Sequence, residues 1–131
     1  MKPRSSNRGR LSRSAEFERV YRQGQSTANR HLVLYTFPNA AAERPRLGLS
    51  VSRKVGGAVE RNRVKRLLRE AFAHAEPELR GGQDVVLVAR PSAGDLVERE
   101  GLAGVNASLT ELIVKAGLRR ESAAARGPEG S

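Results

Sequence analysis

The stretch 61–69 contains five basic residues and no acidic one, namely Arg61, Arg63, Lys65, Arg66 and Arg69. Guanidinium and ammonium groups neutralise phosphates, and a guanidinium can hold one phosphate through two parallel hydrogen bonds. Apolar residues recur through the same region at the spacing of one helix face, at Val64, Leu67, Leu68 and Phe72. The chemistry that these residue types offer is therefore the binding of a polyanion.

On a helical projection, the apolar side chains face one way, and the opposite side carries Asn62, Lys65, Arg66 and Arg69. Arg61 and Arg63 flank the apolar face at its two edges. Like charges four residues apart cost a helix about 0.2–0.5 kcal/mol, and Lys65 has such a neighbour on each side, in Arg61 and Arg69. A merely solvated face would mix its charges, so the pattern favours a bound phosphate backbone.

Residues with catalytic chemistry are scarce. The chain has no cysteine, which removes thiol nucleophiles, disulfides and cysteine-ligated zinc. Its two histidines, His31 and His74, are isolated and are expected to be structural or surface residues. The segment "VGGAVER" lacks the Gly-Lys-Ser/Thr of a nucleotide-binding loop, and no cluster of carboxylates for Mg²⁺ is evident. We therefore expect no catalytic residue and no metal site in the protein.

The charge of the chain is concentrated in one half. The 131 residues carry a formal net charge of +10. Residues 1–69 hold 17 basic and 4 acidic residues, whereas residues 70–131 hold 7 and 10. Such a footprint indicates a nucleic-acid partner, and a uniform arginine bias would not produce it. No apolar run is long enough to span a membrane, so we expect a soluble, cytoplasmic protein without a membrane partner.

Periodicity and helix- or strand-breaking residues predict the elements that carry these side chains. We expect a helix at 13–23, strands at 26–30, 31–37 and 46–54, the basic helix at 58–75, a strand at 84–90 and a last helix at 105–116. Asp95–Glu100 is expected to form only a loose turn before Gly101. The order predicts one α+β domain at 11–118, a mixed sheet with helices packed on it, between a flexible basic arm at 1–10 and a disordered tail at 119–131.

The expected core draws on every element, through Phe17, Leu34, Leu49, Val51, Val64, Leu67, Leu68, Phe72, Val86, Val88, Leu109, Leu112 and Ile113. One strand face is different, because "RLGLSVSRK" alternates and leaves only Gly48, Ser50 and Ser52 on its second side. Aromatic and basic residues are expected nearby, at Phe17, Tyr21, Tyr35, Arg53, Lys54 and Arg90. A small polar face beside aromatic rings and cations suits an extended single strand of nucleic acid.

These residues resemble a known family. The segment "GLSVSRKVGGAVERNRVKRLLREAF" (48–72) is similar to the signature of the protein component of bacterial ribonuclease P. The segments "RLSRSAEFERVYRQG", "ANRHLVLYTF" and "DVVLVARP" resemble the first helix, the following strands and the strand after the signature helix of that family. The resemblance covers about residues 10–118 and leaves both tails unmatched.

The resemblance implies a ribosomal-protein-like α-β-β-β-α-β-α sandwich, like domain 2 of ribosomal protein S5, with a left-handed crossover around the signature helix. It implies a subunit that assists a catalytic RNA in removing the 5′ leader from precursor tRNA, with Mg²⁺ held mainly by that RNA. The family's RNA-subunit contacts correspond to Arg61, Asn62, Arg63, Lys65, Arg66 and Arg69. Its leader-binding cleft corresponds to Phe17, Tyr21, Tyr35, Ser50, Ser52, Arg53, Lys54 and Arg90, and the basic arm, including Arg8 and Arg10, would add phosphate contacts.

Three other functions compete with this interpretation. A ribosomal or assembly protein that binds structured RNA would have the same composition. A sequence-specific DNA-binding protein is disfavoured because the basic helix follows a strand and not a helix-turn-helix. A protein-only nuclease is disfavoured because no carboxylate cluster is evident in the sequence.

Overall fold

The centre of the molecule is a mixed sheet with the strand order β1-β2-β4-β3. The structure is a computed structural model that describes residues 24–120 together with Glu18, Tyr21 and Arg22. Its strands are β1 (Gln25–Ala28), β2 (Leu32–Pro38), β3 (Arg46–Val51) and β4 (Gln83–Ala89). Strand β2 pairs antiparallel with β1 and β4, and β3 pairs parallel with β4. Because β3 and β4 are parallel neighbours, the chain between them must cross from one end of the sheet to the other.

Two helices are described with their full bounds. Helix α1 (Ala58–Ala75) forms the crossover between β3 and β4 and runs into a short 3₁₀ turn at Glu76–Glu78. Helix α2 (Ala93–Ala116) follows β4 and ends at Gly117, which adopts the left-handed conformation of a helix C-cap. Within the described part of the chain, no helix is both long and apolar enough to cross a membrane.

The main core lies between the two helices and one face of the sheet. It contains the alternate strand residues Leu32 and Leu34, Leu47 and Val51, and Val85 and Leu87, together with the apolar sides of α1 and α2. The other face of the sheet carries a smaller cluster, in which Tyr35, Phe37 and Val88 pack around the buried Val86. Since β4 packs on both faces, its continuous apolar sequence has a structural reason.

The predicted α+β architecture and its order of elements are confirmed. The basic helix has the predicted bounds, and the strands predicted at 26–30, 31–37 and 84–90 each lie one or two residues from the observed ones. Glu18, Tyr21 and Arg22 are helical, within the helix predicted at 13–23. The rest of that helix, the basic arm and residues 121–131 lie outside the described residues. The left-handed crossover stays a prediction.

The strand predicted at 46–54 is too long by three residues. Strand β3 ends at Val51, and residues 53–55 form a turn. The Ser52 hydroxyl accepts a hydrogen bond from the Lys54 N–H at 3.3 Å, and the Ser52 carbonyl accepts one from Val55 N–H at 3.0 Å. Serine commonly bonds nearby backbone groups in this way at turns. The apolar–polar alternation of the sequence therefore extends past Val51, although the strand itself ends there.

The last helix was predicted too short, because Asp95–Glu100 is regular helix and not a loose turn. It continues through Gly101, where the backbone leaves helical geometry with φ 61° and ψ −149°. That region is accessible almost only to glycine, so Gly101 kinks the helix without ending it. At the other end, Arg119 forms a β-bridge with Leu79, so ordered structure extends into the tail that was predicted from residue 119.

Candidate nucleic-acid interface

Helix α1 is anchored by its apolar side. Val64, Leu67, Leu68, Ala71 and Phe72 are buried against the main core. Burying a large aliphatic or aromatic side chain contributes about 1.5–3 kcal/mol, several times the cost of one like-charge pair on a helix. The helix therefore forms in spite of its charge. The basic side chains on its outer face do not contribute to the core and are available to bind a partner.

The cationic ridge is the set of polar residues on α1 that was predicted to face away from the core, with its two edge residues: Arg61, Asn62, Arg63, Lys65, Arg66 and Arg69. Asn62, Arg63, Arg66 and Arg69 are exposed, and Arg61 and Lys65 are half-buried. The structure thus gives all six the outward or edge positions that the helical projection predicts.

The cations of the ridge have no acidic partner among the described residues. Elsewhere in the same part of the chain the contrast is clear, since Arg44 pairs with Glu76 and Arg99 pairs with Asp95. The Nε atom of Arg61 is buried and makes no hydrogen bond to any residue that the structure describes, which adds a desolvation cost. A polyanion on this face would supply the missing negative charge.

The turn before α1 presents two more cations. Arg53 and Lys54 are exposed in the turn that follows β3. The turn packs closely on the start of α2, because a Cβ atom on Gly94 would lie only 2.8 Å from the carbonyl oxygen of Val55. A side chain at residue 94 would therefore push the two apart, and the glycine fixes the turn against the helix layer.

Arg90 lies at the same end of the sheet as Arg53 and Lys54. Val51 and Ala89 are register partners in the parallel pair of β3 and β4, so the residues that follow them emerge together. The Arg90 N–H donates to the carbonyl of His31 at 2.8 Å, and its guanidinium donates to the carbonyl of Asn29 at 3.3 Å. All three predicted cleft cations therefore lie at the same end of the sheet.

The aromatic part of the predicted cleft lies on the sheet face that the two helices leave open. The rings of Tyr21 and Tyr35 meet edge to face with centroids 4.9 Å apart, and 38% of Tyr21 is exposed. Ser50 shares that face, since it is the register partner of Val88. Tyr21 and Tyr35 are in contact and Ser50 lies on the same face two strands from Tyr35, whereas Ser52 lies in the turn. Phe17, Arg8 and Arg10 lie outside the described residues.

One structural residue of the site, Asn29, was missed from the sequence. Asn29 ties the turn between β1 and β2 to α2, donating from its amide to the Ser108 carbonyl at 2.9 Å and to Glu111 at 3.0 Å. His31 has the structural role expected of it, since its Nδ1 lies 2.8 Å from the Ser92 hydroxyl. That hydroxyl in turn donates to the carbonyl of Arg30 at 3.0 Å.

Arg30 is a further exposed cation that the prediction left out. It lies in the same turn as Asn29 and His31, beside Arg90. In the sequence, its position in the polar segment Asn29-Arg30-His31 directly before β2 indicates an exposed turn residue. No set of three or more histidine, aspartate or glutamate side chains in the described part of the chain could hold a metal ion.

Fold and surface together define a class, that of small basic α+β proteins with the charge distribution of a polyanion-binding protein. A family model described as Ribonuclease P matches residues 6–116. The chain is 47% identical over 107 residues to the ribonuclease P protein component of Shouchella clausii, covering 82% of this chain and 84% of that protein. It is 44% identical over 115 residues to the same component of Bacillus velezensis, covering 88% and 95%.

Solved structures agree with these sequence relatives. The RNase P protein of Staphylococcus aureus superposes with a TM-score of 0.76 at 35% identity, covering 85% of this chain and 97% of that one. The RNase P protein of Thermotoga maritima gives a TM-score of 0.73 at 30% identity, covering 81% and 96%. The chain therefore belongs to the ribonuclease P protein family and is a protein subunit of that tRNA-processing enzyme, with ribonuclease P RNA as its partner.

Proposed function

We propose that the cationic ridge of α1 binds the ribonuclease P RNA. Arg61, Arg63, Lys65, Arg66 and Arg69 would neutralise phosphates, and Asn62 would donate to a phosphate or sugar oxygen. The observation that carries the proposal is the row of cations without acidic partners in the described part of the chain, on a helix whose other side is buried. RNA phosphates would remove the like-charge repulsion that the helix bears alone.

The open face of the sheet is proposed to hold the single-stranded 5′ leader of precursor tRNA. The exposed ring of Tyr21 and the half-buried ring of Tyr35 would give bases a surface to stack on, and Ser50 places a small polar side chain on the same face. Arg53, Lys54 and Arg90 at the end of the sheet would follow the leader backbone. Ser52 would contribute from the turn, and Phe17, Arg8 and Arg10 remain part of the proposal on the resemblance alone.

Bond cleavage itself is assigned to the RNA. Mg²⁺ supplies the charge stabilisation and activated water that phosphodiester hydrolysis needs. The described residues offer no three-residue cluster to hold the ion, so no protein side chain is assigned to it. The protein would work in the cytoplasm by holding the leader and by reducing the repulsion between two RNAs, which lowers the Mg²⁺ concentration that the complex requires.

Reconstitution tests this function. The purified protein is added to a ribonuclease P RNA at low Mg²⁺, and removal of the 5′ leader from precursor tRNA is followed on a gel. We expect a clear stimulation that disappears with the heat-denatured protein and diminishes at high Mg²⁺, where the RNA needs less help. Equal cleavage rates with and without the protein at low Mg²⁺ would remove the proposed function.

A further inference from the structure

Three arginines outside both proposed RNA surfaces lie in or next to the β-bridge that the chain forms after α2. Leu79 and Arg119 form an antiparallel bridge, in which Arg80 N–H donates to the Leu118 carbonyl at 2.9 Å and Arg120 N–H donates to the Glu78 carbonyl at 2.8 Å. Arg80, Arg119 and Arg120 form no ion pair with any residue that the structure describes. Neither the ridge nor the cleft accounts for them.

A cavity of about 170 Å³ adjoins this bridge, between the C-terminal halves of α1 and α2. Its apolar lining consists of Ala71, Ala75, Leu79, Leu109 and Ile113. Its polar lining consists of His74, Glu78, Asn106, Thr110 and Arg119. An apolar floor with polar groups around it is the usual composition of a site for a small organic ring.

The polar groups of the cavity make no side-chain hydrogen bonds within the described structure. His74, Glu78 and Thr110 are exposed, and Asn106 and Arg119 are half-buried. Together they offer amide, hydroxyl and guanidinium donors, a carboxylate acceptor and two flat groups, the imidazole of His74 and the guanidinium of Arg119. The carboxylate of Glu78 would repel a phosphate from the cavity itself, whereas it would accept a hydrogen bond from an amino group.

We propose that this cavity and its three arginines bind one unstacked nucleotide of the ribonuclease P RNA. The base lies on the apolar floor and stacks on His74 or Arg119, as single-stranded bases do on histidine and arginine planes. Asn106 and Thr110 contact its edge, and Glu78 accepts from an exocyclic amino group, which selects adenine, cytosine or guanine over uracil. Arg80 and Arg120 contact the flanking phosphates.

The RNA subunit is the partner because of where the cavity lies. It opens between the two helices, whereas the proposed leader face is on the other side of the sheet. Helix α1 contributes both the ridge and one wall of the cavity, so one RNA can contact both. The inference therefore rests on the proposed function of the ridge.

A matched pair of variants tests the base site. Thr110→Phe fills the cavity from an exposed position, and Ala107→Phe adds the same ring at an exposed position of α2 outside it. We expect Thr110→Phe to weaken binding to the RNA subunit alone by about tenfold, as loss of one stacked base does, with the salt dependence unchanged. Ala107→Phe should bind as the unaltered protein does, and both should keep its melting temperature.

The double variant Arg80→Ala/Arg120→Ala tests the phosphate contacts. Both side chains are exposed, and the bridge uses only their backbone N–H groups, so the fold should persist. The slope of log affinity against log salt should fall by about one for each lost phosphate contact. Arg99→Ala, which removes an arginine already paired with Asp95, is the control and should leave the slope unchanged.

The outcomes separate this inference from the function on which it rests. If Arg66→Glu weakens RNA binding while Thr110→Phe and the double arginine variant do not, the ridge stands and the nucleotide site is wrong. If Arg66→Glu has no effect, the proposed function of the ridge fails first. A loss confined to substrates that carry a leader would overturn the choice of the RNA subunit as partner.

Discussion

Asp84 lies at the start of β4, in the apolar run that crosses the sheet, and it is fully buried. Its two carboxylate oxygens accept from the Nε and Nη2 of Arg46 at 2.9 and 3.0 Å, and from the Asn39 amide at 3.2 and 3.3 Å. Burying a charged carboxylate is energetically costly unless such partners pair with it and hydrogen-bond to it. The ion pair of Arg46 with Asp84 joins the edge strand β3 to its inner neighbour β4. It therefore helps to hold together the sheet on which the proposed leader face lies.

Removal of Asp84 should destabilise the domain. We expect Asp84→Ala to lower the free energy of unfolding by about 3 kcal/mol, the lower end for a broken buried ion pair, because Arg46 keeps some contact with water. Urea denaturation at pH 7 measures the change. Asp95→Ala, which breaks an exposed pair with Arg99, should cost less than about 1 kcal/mol. Similar losses in the two variants would contradict the structural role given to Asp84.

Tyr35 tests the leader face at the level of one side chain. It is half-buried beside the exposed Tyr21 ring. Tyr35→Ala should weaken binding of precursor tRNA to the holoenzyme by about tenfold through loss of a stacking surface. The same measurement on tRNA without a leader is the control and should not change. If the main effect is instead a large fall in melting temperature, Tyr35 is a core residue and its place in the cleft is wrong.

Helix α1 is the element in which packing and binding are combined. Its buried side holds it on the sheet, and its outer side concentrates charge that lowers the stability of the isolated helix. The two demands are separable because they fall on opposite faces. Substitutions on the ridge should therefore affect RNA binding without unfolding the domain.

Arg66→Glu is the sharpest substitution on the ridge, since Arg66 is exposed and points away from the core. We expect the affinity for the RNA subunit to fall more than tenfold and the salt slope to fall by about one, while the melting temperature stays within a few degrees. Filter binding and thermal denaturation measure these. Lys115→Glu on α2 makes the same change of net charge outside the ridge. Equal losses from both would mean that only net charge matters.

At the scale of the molecule, the sequence predicts the layers and the ridge because their signals are local. The helical spacing of Val64, Leu67 and Phe72 is enough to predict which side of α1 faces the core. The continuous apolar run of β4 is enough to predict that this strand is buried on both faces. The common position of Arg53, Lys54 and Arg90 is explained by the sheet, because β3 and β4 are parallel neighbours and end on the same side of it.

Other features depend on partners far away in sequence, and no local pattern reveals them. Asn29 is held by Ser108 and Glu111, and Asp84 is held by Arg46 and Asn39, so their roles become visible only in the fold. The extent of α2 was misjudged for a different reason. Glycine usually ends a helix, but at residue 101 the apolar contacts on both sides carry the helix through a kink.

The charge of the whole molecule gives the most direct test of the account. If the protein neutralises about six phosphates of the RNA subunit, most of them through the five cations of the ridge, log affinity should fall with log salt with a slope of about −4 to −5. Affinity is measured by filter binding between 50 and 200 mM monovalent salt, a range over which it should drop by about several hundredfold. Affinity that stays flat across that range would contradict the central claim that α1 holds the RNA through its phosphates.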